Sequence, residues 1–548
     1  MRSYDDRNKP YLLLGLLAMT LGAWYWGITR AFTLPKDVYA KALWYGFLQT
    51  PKQPLIYVPV LLTFFYGLLI FAVVVVYYRT YAGFADYMRR LRGGYIVSAA
   101  QLRDMCREWF TKQLIFGTIP VPKMIENLQY SVVGSTGSGK SQAIADYIES
   151  ALARGDRIIT VDPNGGFMKS FWRPGDIILN PFDARSVSWS IFNEIRTLYD
   201  CDQFAVAIIP RSPSTEQEVW NSMARTLVGE TMQKLHRLGR GTTEELIYWL
   251  IIADNEQLEQ MLSDTPARGI FHGAEDTLAS IRTVLTRYIT PHKYLSAAET
   301  ASNEFSIREW LANGTGNLWI TWREDMLSAL KPLVSCWIDV ISASALSQDV
   351  WEEARTTNGI YDELDSLEKL NYLLQIATKG RKHKFNILLG IQSHAQLDAT
   401  NGEKDALTLR NSCRNTLSLG VAEGDTYTAK NISMGLGSHD VIREHRSGAP
   451  NSAPTQHIEK NEPLVSDTEI HILPALTGYV KLAEDRPIAR VTMKYKKRKE
   501  VTEPLILVKN KWTEDVSATL READEIERAF MAMPTPNADF PHDDQLMN

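Results

Sequence analysis

Two long apolar runs stand out near the start of the chain. Residues 11–29 (YLLLGLLAMTLGAWYWGIT) hold 19 positions without a charge and close on Arg30. Residues 55–78 hold 24 and close on Arg79. A helix rises 1.5 Å per residue, so about 20 residues cross a hydrocarbon layer about 30 Å thick. Trp24, Tyr25 and Trp26 end the first run, and Tyr57, Tyr77 and Tyr78 flank the second, where amphipathic rings prefer the membrane interface. The pattern predicts a transmembrane hairpin within an N-terminal anchor, residues 1–92. A cleaved signal peptide is the weaker reading, because the first run exceeds a signal core and no small-x-small site follows it. Lys and Arg crowd the outer flanks (Arg2, Arg7, Lys9; Arg79, Arg89, Arg90, Arg92) more than the intervening loop (Arg30, Lys36, Lys41, Lys52), which places both ends inside.

Beyond the anchor the pattern changes to short apolar strands and amphipathic helices. Residues 129–133, 157–162 and 176–181 read as strands, and 142–154 as a helix with Gly155 as its C-cap. From Trp189 to Ser302 strand signals thin out. Helical spacing covers 204–209, 218–238, 243–252, 255–262 and 274–288, so 191–302 reads as an all-α insertion. Strand patterns return at 317–322, 385–391, 416–420, 479–482 and 490–495, with helices at 327–346 and 364–380. The expected division is therefore an α/β domain over 93–190 and 303–510, split by the insertion.

Composition alters this picture in two places. The formal charge of −5 excludes a globally basic nucleic-acid coat, although not a local basic channel. Residues 511–548, however, hold nine acidic and three basic residues with Pro534, Pro536 and Pro541. That segment reads as an acidic, mostly disordered tail with a helical stretch at 516–531, suited to a protein partner. The rest of the chain is then close to neutral. The basic run Lys494–Lys499 reads more readily as a solvated strand end than as a DNA contact. Four widely spaced cysteines exclude a disulfide scaffold and a zinc ribbon.

The strongest chemical signal is Gly134-Ser135-Thr136-Gly137-Ser138-Gly139-Lys140-Ser141, a full GxxxxGK[ST] match between a strand and a helix. Glycines let backbone N–H groups turn inward on phosphate oxygens, and the helix N-terminus adds a positive dipole end. Lys140 is placed to reach the β- and γ-phosphates, and Ser141 to ligate Mg²⁺. Such a site needs an acidic strand end as well. Asn358-Gly359-Ile360-Tyr361-Asp362-Glu363 is the best match, with Asp362 on the metal and Glu363 polarising water, although Asn358 and Gly359 interrupt the apolar strand. Gln392, at the C-terminal end of the 385–391 strand, is a candidate γ-phosphate sensor. Arg381 is a candidate arginine finger, or else part of a solvated basic turn. The implied cofactors are ATP and Mg²⁺.

The order of motifs resembles the conjugative type IV secretion coupling proteins, the TraD/TrwB group of membrane-anchored hexameric DNA-translocating ATPases. The resemblance rests on Arg92–Ala99, Gly134–Ser141, Leu179-Asn180-Pro181-Phe182-Asp183-Ala184-Arg185-Ser186, Trp220–Arg225, Asp362-Glu363, and Gly390–Ser393 with Ala395–Leu397. The Asn-Pro-Phe segment has no general ATPase use and points to this family. The resemblance implies a RecA-like P-loop NTPase fold with an inserted all-α domain behind a two-helix transmembrane hairpin. It implies catalytic roles for Lys140, Asp362, Glu363, Gln392 and Arg381, the last entering a neighbour's site, and a structural or channel-lining Trp220. It also implies single- or double-stranded DNA bound without sequence preference, relaxase and secretion-channel partners, a homohexamer, and an inner-membrane location with a cytoplasmic bulk.

Other readings predict other features. A docking receptor in which ATP only stabilises assembly shares the same motifs. A chromosome-partitioning pump would carry more spans and a winged-helix reader, and a peptide-exporting ATPase an LSGGQ-like run. The sequence has neither.

Overall fold

The computed structural model describes residues 4–31, 44–45, 47–81, 89–272, 275–298, 305–348, 355–446, 455–509 and 512. Apart from Trp512, the acidic tail lies outside them. The chain forms two compact units, Met1–Val161 with Ile338–Lys499, and Asp162–Trp337 with Glu500–Asn548.

The first unit is built on a mixed sheet. Its strands are β1 (Ile96–Ser98), β2 (Tyr130–Val133), β3 (Arg157–Pro163), β4 (Thr357–Tyr361), β5 (Phe385–Ile391), β6 (Asn415–Leu419), β7 (Thr477–Lys481) and β8 (Ile488–Thr492). They lie in the order β1-β8-β7-β6-β2-β5-β4-β3. Strands β6, β2, β5, β4 and β3 run parallel, and β7 is antiparallel to both β6 and β8. Strand β5 (FNILLGI) is buried throughout, as a central strand covered on both faces requires. The Lys140–Arg154 helix follows β2 and leads to β3, but β5 and β4 lie between those two strands. The ends of β2, β5 and β4 are thereby brought together. Gly155 closes the helix in the left-handed region (φ 89°), its N–H donating to the Ala151 and Leu152 carbonyls.

The irregular sequence of β4 has a packing cause. Asn358 accepts at Oδ1 from Tyr147 Oη (2.9 Å) and Asn386 Nδ2 (3.1 Å), and donates through Nδ2 to Asp156 (3.2 Å). A Cβ on Gly359 would meet the Tyr361 hydroxyl at 2.7 Å and the Phe385 ring at 2.9 Å. Two large rings occupy the space a side chain would need, so glycine is required there.

One expected helix is broken. The 364–380 pattern resolves into a 3₁₀ turn, Leu364–Ser366, and a helix, Asn371–Lys379. The cause is Asp339, buried on the Leu327–Leu346 helix. Its carboxylate accepts from the backbone N–H groups of Asn371, Tyr372 and Leu373 (2.9, 2.9 and 3.2 Å), so a helix starts there. Burial pushes this carboxyl up to about 7. Strand β8 also ends at Thr492, short of the expected Tyr495, and the basic run after it has no regular structure.

Tyr4–Ala31 and Pro54–Tyr81 are helices of 28 residues each, covering both apolar runs. They meet where Gly27 lies 3.0 Å, by its would-be Cβ, from the Ile56 backbone, with Ile28 and Ile56 buried. Trp24 Nε1 donates to Thr50 Oγ1 at 2.9 Å. Apart from Thr29 and Arg30, their exposed described side chains are apolar or aromatic, with Leu61, Phe65 and Leu69 exposed by 48%, 62% and 59%.

In the second unit, strand Ile177–Leu179 pairs in parallel with Leu318–Trp322. Between them the described residues form helices and turns, among them Leu198–Ile208, Thr215–Arg237, Asn255–Met261 and Glu275–Ile289. The Asn-Pro-Phe segment is a tight turn, in which the Phe182 N–H donates to Asn180 Oδ1 (3.1 Å) and Asn180 Nδ2 to Thr321 (3.3 Å). Trp220 is half-buried on the Thr215–Arg237 helix.

Candidate nucleotide site

Residues 134–139 form the loop between β2 and its helix. Gly137 and Gly139 sit at φ 79° and 113°, where side-chain-bearing residues are strained. A Cβ on Gly134 would meet Ser138 Oγ at 2.6 Å and Leu419 Cβ at 2.8 Å. The loop is pinned by two neighbouring segments and by a bond within itself. The Ser135 N–H and Oγ donate to the Gly420 carbonyl (2.9 and 3.1 Å), Ser138 Oγ donates to the Ser135 carbonyl (2.7 Å), and the Leu476 N–H donates to the Ser138 carbonyl (2.8 Å). Thr136, Gly137 and Ser141 face solvent. The result is a rigid, open cradle at a helix N-terminus, the arrangement that binds phosphate.

Lys140 points the other way. Its side chain is buried, and among the described residues Nζ has no hydrogen-bond partner. Burial lowers its affinity for the proton, while Asp362, Asp365 and Glu363 oppose that shift. Asp362, at the end of β4, is raised by its own burial and lowered by Lys140. Its N–H donates to the Val161 carbonyl (3.3 Å), so the register of the acidic pair is fixed by β3. A buried ammonium without a bonded acceptor is costly, and three carboxylates acting on one such group form an unfinished electrostatic site.

Glu363 takes a left-handed conformation (φ 53°), which costs a non-glycine residue about 1 kcal/mol or more and occurs where surroundings demand it. Its Oε1 accepts from Gln392 Nε2 at 3.1 Å. Two residues singled out separately in the sequence are therefore in contact across β4 and β5.

Arg381 is not part of this cluster. It sits exposed in the 380–383 turn before β5, with no hydrogen bond or ion pair among the described residues. Gln392 follows the other end of that seven-residue strand, roughly 20 Å away at 3.3 Å per residue. Asp365 is the residue that sequence reasoning passed over. It is buried, faces Lys140 electrostatically, and accepts at Oδ2 from the Gln392 and Ser393 N–H groups (3.3 and 3.4 Å). Its spacing from the pair, Asp-Glu-Leu-Asp, was the available signal. Among the described residues no group of three or more His, Cys, Asp or Glu forms a self-contained metal cage.

Part of the basic run is tied to the helix that follows the loop. Arg498 Nη2 pairs with Asp146 (2.6 Å) and Glu149 (3.3 Å), and Lys496 Nζ with the same two (3.2 and 3.3 Å). The reading of that run as a solvated strand end is too simple for these two residues.

The fold and cradle define a P-loop nucleotide-binding α/β protein carrying an all-α domain. Residues 113–494 match the family described as the type IV secretion-system coupling protein DNA-binding domain, and the chain belongs to that family. It is similar to the coupling protein TraD of Escherichia coli (strain K12), 30% identical over 404 residues, 71% of this chain and 56% of the relative. The chain thus spans little more than half the length of that relative. Among solved structures it resembles the bacterial conjugative coupling protein TrwBdeltaN70, with 39% identity, 78% of this chain and 98% of that one covered, and a TM-score of 0.73. The plasmid coupling protein TrwB in complex with ADP and Mg²⁺ matches with 39% identity, coverage of 78% and 99%, and a TM-score of 0.71. Its complex with a non-hydrolysable ATP analogue matches with 38% identity, coverage of 79% and 100%, and a TM-score of 0.72.

Proposed function

We propose that this chain is a membrane-anchored ATPase that couples a relaxase–DNA complex to a type IV secretion channel and drives single-stranded DNA through it during conjugation. The observation that carries the reading is the buried, unbonded Lys140 Nζ beside an open phosphate cradle, in a member of the coupling-protein family. A triphosphate supplies the acceptor that Lys140 lacks. It also brings negative charge beside Asp362 and Glu363, so a divalent cation fits there. Ser141 and Asp362 are the residues suited to hold Mg²⁺, which when bound neutralises charge during phosphoryl transfer.

In this reading the backbone of Gly134–Gly139 orients the phosphates and Lys140 offsets charge on the transferred group. Glu363 holds and polarises the attacking water. Gln392, bonded to Glu363, is placed to register whether a γ-phosphate is present. Arg381, exposed and distant from its own cradle, is suited to completing a neighbouring protomer's site in a ring, which we take to be a hexamer. The outward apolar surfaces of the two N-terminal helices suit a lipid environment, so we assign them as a two-pass anchor in the inner membrane with the two units in the cytoplasm. The functional division we propose is anchor 1–92, nucleotide-binding domain 93–190 and 303–510, helical domain 191–302 and tail 511–548, the tail contacting relaxosome proteins. DNA contacts are directed at the backbone and salt-sensitive.

The test is Lys140→Ala, read as DNA-stimulated ATP hydrolysis and as conjugative transfer. Both should fall to background. Survival of both would sink the motor reading and leave a docking receptor.

A further inference from the structure

The carboxylate of Asp365 has no part in the chemistry proposed above, yet it is buried beside it. It lies three residues beyond Asp362, in the 3₁₀ turn Leu364–Ser366 that follows β4. One oxygen, Oδ2, accepts from two consecutive backbone N–H groups, Gln392 (3.3 Å) and Ser393 (3.4 Å), where β5 ends. The same turn is closed by Ser366, whose N–H and Oγ both donate to the Glu363 carbonyl (3.0 and 2.8 Å). Glu363 in turn receives the Gln392 side chain. Gln392 is therefore held twice from one short turn, by its backbone through Asp365 and by its amide through Glu363. Strand β5 is also hydrogen-bonded to β2, which enters the phosphate loop, and the Gly134 N–H donates to the Ile391 carbonyl (3.1 Å).

We infer that Asp365 is a positioning residue for hydrolysis, holding the end of β5 so that the Gln392 amide reaches Glu363. Resting on the nucleotide reading above, the inference adds a residue that acts through Gln392 and touches neither nucleotide nor metal. Without the Asp365 acceptor, the two N–H groups at the end of β5 lose their partner and the strand end is free to shift. A sub-ångström displacement there separates the Gln392 amide from Glu363 while leaving the phosphate loop, and hence nucleotide affinity, in place. The geometry needs an acceptor oxygen at this position more than a charge, and asparagine keeps such an oxygen.

The experiment measures steady-state ATP hydrolysis, with single-stranded DNA, by the full chain in lipid nanodiscs. Asp365→Ala, Asp365→Asn, Gln392→Ala and the double variant Asp365→Ala/Gln392→Ala are compared with the unaltered chain and Lys140→Ala. Asp365→Ala should lower kcat roughly tenfold, the effect of one lost hydrogen-bonding anchor, with KM within about twofold. Asp365→Asn should recover most of that loss. In the Gln392→Ala background, Asp365→Ala should cost little more, because both act through one amide. Unchanged kcat in Asp365→Ala would overturn the inference, as would an equal further loss in the double variant or a rise in KM alone. Should Asp365→Ala fail to fold, a folded Asp365→Asn with a tenfold lower kcat overturns it as well, and one near the unaltered rate supports it. No hydrolysis by the unaltered chain would instead refute the ATPase reading itself.

Discussion

The parallel strands β4 and β5 carry a buried polar cluster at each end, and the two are built on opposite principles. At their N-terminal ends the charged side chains Glu126, Arg154 and Asp156 are matched, and the neutral Asn386 Oδ1 is left without a partner among the described residues. Tyr147 and Asn386 donate to Asn358, Asn358 donates to Asp156, and Arg154 reaches Glu126 (2.7 and 3.3 Å) and Asp156 (3.4 Å). At their C-terminal ends the matching stops short. Gln392 and Asp365 are bonded, but Lys140 Nζ is buried among three carboxylates with no bonded acceptor. Burial and polarity alone do not distinguish a structural cluster from a ligand site. An unbonded buried charge does, because it is far costlier than the neutral indole N–H groups of Trp322 and Trp337 that also lack partners among the described residues, and a ligand offsets that cost.

The largest expected stability effect separates the two ends. Asn358→Leu removes the shared partner of Tyr147, Asn386 and Asp156, and should cost about 2–4 kcal/mol in urea unfolding of the detergent-solubilised protein. Lys140→Met, which replaces a donor that bonds nothing in the absence of ligand, should cost less than about 1 kcal/mol and abolish nucleotide binding. A large stability loss from Lys140→Met with none from Asn358→Leu would reverse the comparison.

How much of this was legible in the sequence depended on whether the signal was local. The cradle and the Lys140–Arg154 helix follow from contiguous residues, as does the Gly155 cap. The Asn358-Gly359 interruption in β4 was visible as a fault, but its cause was not. The rings of Tyr361 and Phe385 and the partner Tyr147 come from three separate elements. Asp365 was hidden for the same reason, since its partners lie 27 and 28 residues on and are backbone groups with no residue-type signature. Likewise the break in the 364–380 helix depends on Asp339, more than 30 residues earlier. Periodicity reads which face is buried and says little about which distant carboxylate will cap an end.

Asp339 also gives a pH signature of intermediate size. Its folded-state pKa is raised to about 7 from an ordinary 3.8, so the folded chain binds the extra proton across that interval. The corresponding stability is fully present below pH 3.8 and is lost as pH rises through about 7. Asp339→Asn, which cannot titrate, should remove this slope. The stability of the native protein relative to the variant should fall by up to a few kcal/mol between pH 4.5 and 8. His292 and His394, both held down to about 4 by burial, oppose it by destabilising the fold as pH drops below 6.5. The difference between protein and variant cancels their contribution, and thermal melts across that range measure it. A flat difference would mean that Asp339 caps its helix as a carboxylate throughout that range.

The smallest effect concerns the basic run Lys494–Lys499, a positively charged segment that invites a DNA role by composition. Arg498 is largely buried, and its bonds to Asp146 and Glu149 tie the segment to the outer part of the same helix whose first residue is Lys140. Lys496 makes the same pairs from a more exposed position, where an ion pair contributes only about 0.2–1 kcal/mol. If the run serves structure, Arg498→Ala should lower stability by about 1 kcal/mol and Lys496→Ala by less, because only Arg498 loses packing as well as charge. Single-stranded DNA affinity, measured by fluorescence anisotropy at two salt concentrations, should be unchanged in both. If both variants instead bind DNA more weakly with a shallower salt dependence, these cations release counterions from phosphate, and the matched ion pairs on the helix give way when DNA arrives.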